Sequence, residues 1–143
     1  MEFKPLQTAE EKAWIDALFF PVWCHDSEAM VAYHNGKIVA ASVADSFTAV
    51  GCTVHWGIDN PMVLRHGFIE NICYHLFVER DRKVIFGLVP ANNLKALKLD
   101  KHIGFVEEAR LREAYDVGVD LVILRMDKSS CRWLQGINLE QAA

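Results

Sequence analysis

Three groups of residues in this chain could do chemistry. The first is His55, in the alternating run Cys52–Ile58. Histidine titrates near neutrality, so an imidazole there is a candidate general base. The second is Arg65-His66-Gly67-Phe68, a cationic pair and a glycine beside an amphipathic segment. Guanidinium and imidazole donors near unpaired helix N–H groups favour an anion such as phosphate. The third is a scatter of thiols and imidazoles. Cys24-His25 is no nucleophile–base pair by sequence alone, because adjacent side chains diverge. His66, Cys73 and His75 could be imagined around a metal, but Cys73 belongs to an apolar stripe and His75 points elsewhere. No metal is expected. Glu70 and Glu79 read as the solvated face of their helix.

The elements that must position these residues are legible from periodicity. Phe3–Leu6 reads as a short strand. Thr8 and Glu11 form a capping box ahead of Trp14, Ile15, Leu18 and Phe19, a helix that ends near Pro21. A loop runs from Pro21 to Glu28. Met30–Tyr33 and Lys37–Ser46 are strands around Asn35-Gly36, a pair that tolerates the positive φ of a type I′ turn. Cys52–Ile58 is the next antiparallel strand. The stripe Phe68, Ile69, Ile72, Cys73, Leu76 and Phe77 predicts an amphipathic helix over Leu64–Glu79. Val84–Val89, bounded by Pro90, is a buried strand. Asn92 or Asn93 caps a helix that closes at Gly104. Phe105–Tyr115 and Val119–Met126 flank a turn at Asp116-Val-Gly118, and Lys128–Leu134 reads as a short terminal helix.

Composition narrows the class. The 143 residues suit one domain, and 52% hydrophobic against 24% charged residues is an ordinary globular balance. The net charge of −4 argues against a nucleic-acid partner. No apolar run is long enough for a membrane span, and the N-terminus has no secretory h-region. The four cysteines lie far apart without a C-x-x-C pair, which suits reduced thiols in a cytoplasmic protein.

The strand order ββ(β)–α–β–α–β–β and the local text together resemble the GNAT superfamily of acyl-CoA N-acyltransferases. The text that carries the likeness is Val89-Pro-Ala-Asn-Asn93, followed eleven and twelve residues on by Gly104 and Phe105. Leu121-Val-Ile-Leu-Arg-Met126 then matches the family's closing strand. The resemblance covers Met30 to Asp127. It implies an α/β (α+β) fold: a mixed, mostly antiparallel sheet with a central parallel β-α-β crossover and helices on both faces.

The resemblance also implies a site. The fourth and fifth strands should splay, and the pantetheine arm of acetyl-CoA, the cosubstrate, should enter the gap. Trp56, Gly57 and Ile58 would line it, with their N–H groups at the oxyanion. The pyrophosphate would sit over Arg65, His66, Gly67 and Phe68 at the helix start, and Asn93 would also be a cofactor-binding residue. His55 would be the catalytic base, and the loop of Cys24 and His25 would shape the site of an unidentified amine acceptor. Two positions depart from the family. The pyrophosphate loop usually has two small residues, whereas Asp59–Phe68 has Gly67 alone, with Arg65 at the place of the first. Seven residues after the Asn, where many members carry a proton-donating Tyr, stands Asp100. An ionised Asp is a poor donor at neutral pH.

The expected function is therefore acetyl transfer from acetyl-CoA to a primary amine by direct attack. The alternative is a catalytically silent GNAT-fold binding or assembly protein. Small proteins of that kind occur in phage genomes, and the tail Cys131-Arg-Trp-Leu134 resembles some of them. Trp133 and Leu134 either pack the last helix or make a subunit contact in a homodimer.

Overall fold

The computed structural model describes residues 1–19 and 21–135. Seven strands form one sheet in the order β1-β2-β3-β4-β5-β7-β6. They are β1 (Glu2–Pro5), β2 (Glu28–His34), β3 (Lys37–Asp45), β4 (Gly51–Ile58), β5 (Val84–Pro90), β6 (Val106–Asp116) and β7 (Val119–Asp127). Every neighbouring pair is antiparallel except β4 with β5, which is parallel. The mixed, mostly antiparallel sheet expected from the sequence is thus present.

Its helices lie on both faces. Ile15 of α1 (Ala9–Phe19) is fully buried against Val31, Ala41 and Val43 on one face. On the other, Phe68, Ile72 and Phe77 of the second helical segment and Leu97 and Ile103 of α3 (Leu94–Ile103) pack on Ala40, Val54, Ile85, Val122 and Leu124. The alternation of strand side chains produces this division, since neighbours point to opposite faces. A helix on each side then gives both sets of apolar residues a core to enter.

Local signals explain the boundaries. Asn35 and Gly36 have φ of 51° and 78°, the left-handed pair that the two-residue hairpin needs. The Thr8 hydroxyl accepts from the Glu11 N–H at 3.1 Å while the Glu11 carboxylate accepts from the Thr8 N–H at 3.0 Å, a reciprocal capping box. Glu11 goes further than a cap. It is 2% exposed and also accepts from the Gln7 N–H at 2.8 Å and the Tyr33 hydroxyl at 2.6 Å. Asn93 caps α3 by accepting from the Ala96 N–H.

The helix expected over Leu64–Glu79 is in fact three pieces. Pro61–Arg65 is a 3-10 turn capped by the Asn60 side chain. The α-helix α2 (Phe68–Cys73) starts only after Gly67, and Tyr74–Glu79 continues it with π winding. Gly67 causes the break, with φ at 90°, where the chain leaves one helical axis for another. The apolar spacing spans all three pieces, so periodicity alone merged them. A Cβ at Gly67 would meet nothing closer than 3.9 Å, so the conformation and not crowding demands glycine. Gly67→Ala should therefore cost about 1 kcal/mol of left-handed strain, read as a shift in the urea midpoint at unchanged slope. The expected terminal helix is also broken. Lys128–Ser130 and Arg132–Leu134 are separate 3-10 turns about an extended Cys131.

Candidate active site

The sheet opens in the middle. β4 and β5 pair only at Gly51↔Val84, Cys52↔Ile85 and Thr53↔Phe86. Beyond Thr53, β4 remains bonded to β3 as far as Ile58, and β5 remains bonded to β7 as far as Pro90. The two strands therefore diverge, and Val54–Ile58 faces a wedge with one flank of its backbone unpaired by β5. Trp56, Gly57 and Ile58 lie along that wedge. Of the residues singled out in the sequence, these are the ones the fold places at its centre.

Alternation assigns their side chains to opposite faces. Trp56 points to the α3 side, where its ring meets Phe105 edge-on at 5.7 Å between centroids and 65° between planes. Phe105 itself lies over Gly87 of β5, so the two rings link the splayed strands on the α3 face of the sheet. Gly57 faces α1. A Cβ there would stand 2.3 Å from the Phe19 ring and 2.6 Å from Leu18. That glycine exists for helix–strand contact as well as for access to its backbone.

His55 shares the α1 side of β4 with Gly57, opposite to Trp56. Its Nε2 is 3.3 Å from Oδ2 of Asp45, and its side chain is 29% exposed. Asp45 is buried, and its other oxygen accepts from the Ser46 hydroxyl at 3.0 Å. A fixed carboxylate behind an imidazole orients the ring, the arrangement a general base uses. The sequence shows His55 but not Asp45, because the pairing depends on the β3–β4 register, with Asp45 opposite Thr53.

Asp100 corrects the sequence reading most. It is 7% exposed, on the inner face of α3. Burial pushes its carboxyl up to about 7, with the Trp56 indole acting in the opposite direction. Burial thus favours the neutral carboxyl, against the ionised form expected from residue type alone.

The remaining residues are dispersed. Arg65 and His66 are exposed just before Gly67, and among the described residues neither has a carboxylate partner. The Phe68 side chain is fully buried in the core, so only its backbone N–H can meet a ligand. Asn93 spends its side-chain oxygen on the α3 cap. Cys73 is buried in the same core cluster as Cys131, while His75 pairs with Glu28 at 3.0 Å and Glu79 at 3.5 Å. His66, Cys73 and His75 thus do not converge on a metal site. Exposed Cys24 directs its thiol to the Val22 carbonyl, not to His25. Trp133 donates to the Ile103 carbonyl at 2.7 Å, so the tail packs on α3. A cavity of about 620 Å³ lies between β1–β2 and α2, with Val54 and the His75–Glu28 pair on its wall.

No family model and no curated protein matches the sequence. Solved structures do match the fold. Mutant forms of the spermidine/spermine N-acetyltransferase SpeG from Vibrio cholerae superpose with a TM-score of 0.78 at 13% identity, over 96% of this chain and 99% of that one. An acetyltransferase assigned to the GNAT family from Desulfovibrio desulfuricans gives 0.73 at 12% identity, over 89% and 98%. The smu.2055 protein of Streptococcus mutans gives 0.66 at 20% identity, over 90% and 99%. The fold is that of the GNAT N-acetyltransferases. The likeness of the tail to phage proteins finds no support in these bacterial structures.

Proposed function

We propose that this chain is an acetyl-CoA-dependent N-acetyltransferase, one domain acting in the cytoplasm on a primary amine by direct attack. The observation that carries the reading is the wedge between β4 and β5, whose unpaired β4 backbone can receive an extended pantetheine arm as an added strand. In this reading the N–H groups of Trp56–Ile58 that point away from β3 meet the thioester oxygen, where charge develops during attack. Arg65, His66 and the N–H groups of Gly67 and Phe68 hold the pyrophosphate at the start of α2. His55, oriented by Asp45, takes a proton from the attacking amine. The matched Vibrio enzyme is named for spermidine and spermine, which makes polyamines the first acceptors to try.

Calorimetric titration with acetyl-CoA tests the reading directly. Saturable heat is expected, and Arg65→Ala should weaken binding about tenfold, the effect of losing one charge-assisted phosphate contact. Unchanged affinity in Arg65→Ala would put the pyrophosphate elsewhere. No heat at millimolar acetyl-CoA would sink the enzyme reading. The rival, a silent binding or assembly protein, is favoured by one observation, the Trp56 and Phe105 rings linking the splayed strands.

A further inference from the structure

The cavity of about 620 Å³ lies beneath α2, on the face of the sheet opposite α1. Alternation along β3 opens it. Ala41 and Val43 turn toward α1, so Ser42 and Ala44 turn toward α2, and these small side chains leave a gap that larger ones would fill. Met30 of β2, Val54 of β4, Ile72 of α2 and Leu76 of its π continuation complete apolar walls. The volume falls in the range of small-molecule sites.

Two polar features stand at different depths. Inside is Ser42, which is 7% exposed and whose hydroxyl makes no hydrogen bond among the described residues. A buried hydroxyl without a partner is costly, so this position asks for a polar atom from an occupant. At the mouth are Glu28 and Glu79, with side chains 35% and 57% exposed. His75 lies between them, its Nε2 3.0 Å from Glu28 and its Nδ1 3.5 Å from Glu79, and Arg80 meets the other Glu28 oxygen at 3.3 Å. Lys4 is also on the wall, but its ammonium turns to the α1 face, 4.5 Å from the Tyr33 ring centroid and 3.9 Å from Glu11. The mouth therefore presents two carboxylates and no ammonium of its own.

Strand register sets the distance between the two features. Glu28 stands opposite Ala44 and Met30 opposite Ser42, so the carboxylate and the hydroxyl leave the sheet two residues apart, roughly 7 Å. We propose that this cavity binds a primary amine with a ring-sized apolar body and a hydroxyl at its far end. The ammonium lies between Glu28 and Glu79, the body rests on Met30, Val54 and Leu76, and the hydroxyl meets Ser42. This is a second site, separate from the one that His55 would serve. His55 is on the α1 side of β4, whereas Val54 and the cavity are on the α2 side. Its occupancy does not depend on the acetyltransferase reading.

Tyramine has this pattern, and phenethylamine lacks only the hydroxyl. Calorimetric titration of the full chain without acetyl-CoA should show saturable binding of tyramine below millimolar concentration. Ser42→Ala should weaken tyramine about fivefold and leave phenethylamine no weaker, because only tyramine loses a hydrogen bond. Glu28→Gln combined with Glu79→Gln should weaken both amines about tenfold. The anionic counterpart hydroxyphenylpropionate should give no heat. Absence of saturable heat with millimolar tyramine, or an equal loss of both amines in Ser42→Ala, overturns the assignment. Loss of tyramine binding in His55→Ala also overturns it, since the amine would then occupy the wedge.

Discussion

Replacing Glu11 with Ala should destabilise the chain by about 2–3 kcal/mol at neutral pH, the largest loss expected from any single polar change considered. The reason is the number of donors left behind. Two backbone N–H groups and the Tyr33 hydroxyl converge on this one carboxylate, which is 2% exposed. The same bonds hold its pKa down from 4.5 to about 2, chiefly through the Tyr33 hydroxyl, and they push Tyr33 up to about 12. A carboxyl whose folded pKa is depressed stabilises the fold above its unfolded value. That contribution is lost as pH falls from 4.5 toward 2. Urea melts of wild type and Glu11→Gln should therefore differ clearly at pH 7 and converge as the solution is acidified below pH 3. A gap that stays constant with pH would mean the carboxylate charge is not what binds α1 to β2.

The second large effect is steric. Gly57→Val should cost about 1–3 kcal/mol, because a branched side chain would enter space held by Phe19 and Leu18. Relief requires α1 to lift or β4 to shift. Either movement disturbs the strand that carries His55 and Trp56. Affinity for acetyl-CoA should fall along with the melting temperature, whereas Leu18→Ala in the same background should recover part of both. Recovery of stability without any recovery of binding would separate the packing role of Gly57 from the shape of the wedge.

How much of this was legible beforehand depended on the range of the interaction. Signals read over a few residues were reliable: the Asn35-Gly36 turn, the Thr8–Glu11 box, the Asn93 cap and the Gly104 stop all occur where the sequence places them. The helix over Leu64–Glu79 failed for a related reason. Pieces of five or six residues are too short for apolar spacing to separate 3-10, α and π windings, and a left-handed glycine leaves no mark in that pattern. Side-chain environments set by distant residues were not legible at all. Glu11 reads as a surface cap until Tyr33, 22 residues away, closes over it. Asp100 reads as an ordinary ionised residue until Trp56 and the core exclude water from it. The Asp45–His55 pair exists only once two strands have found their register.

The short junction between β4 and β5 also bears on how the sheet breathes and sticks. A sheet has two rims, and this one has in addition a pair of inward-facing rims at Val54–Ile58 and at the C-terminal half of β5. Exposed rims are templates for a foreign strand, a hazard that proteins usually blunt with charge, proline or short length. Here the protection is geometric. The two walls meet at Thr53 and Phe86, and the Trp56 and Phe105 rings pack together on the α3 face beside them. Amides of β4 that point away from β3 should consequently exchange with deuterium at rates typical of a peripheral strand, although they sit in the middle of the molecule. A narrow, extended and flexible ligand can go where a folded neighbour cannot, and by bridging the two half-sheets it would slow that exchange on both walls at once.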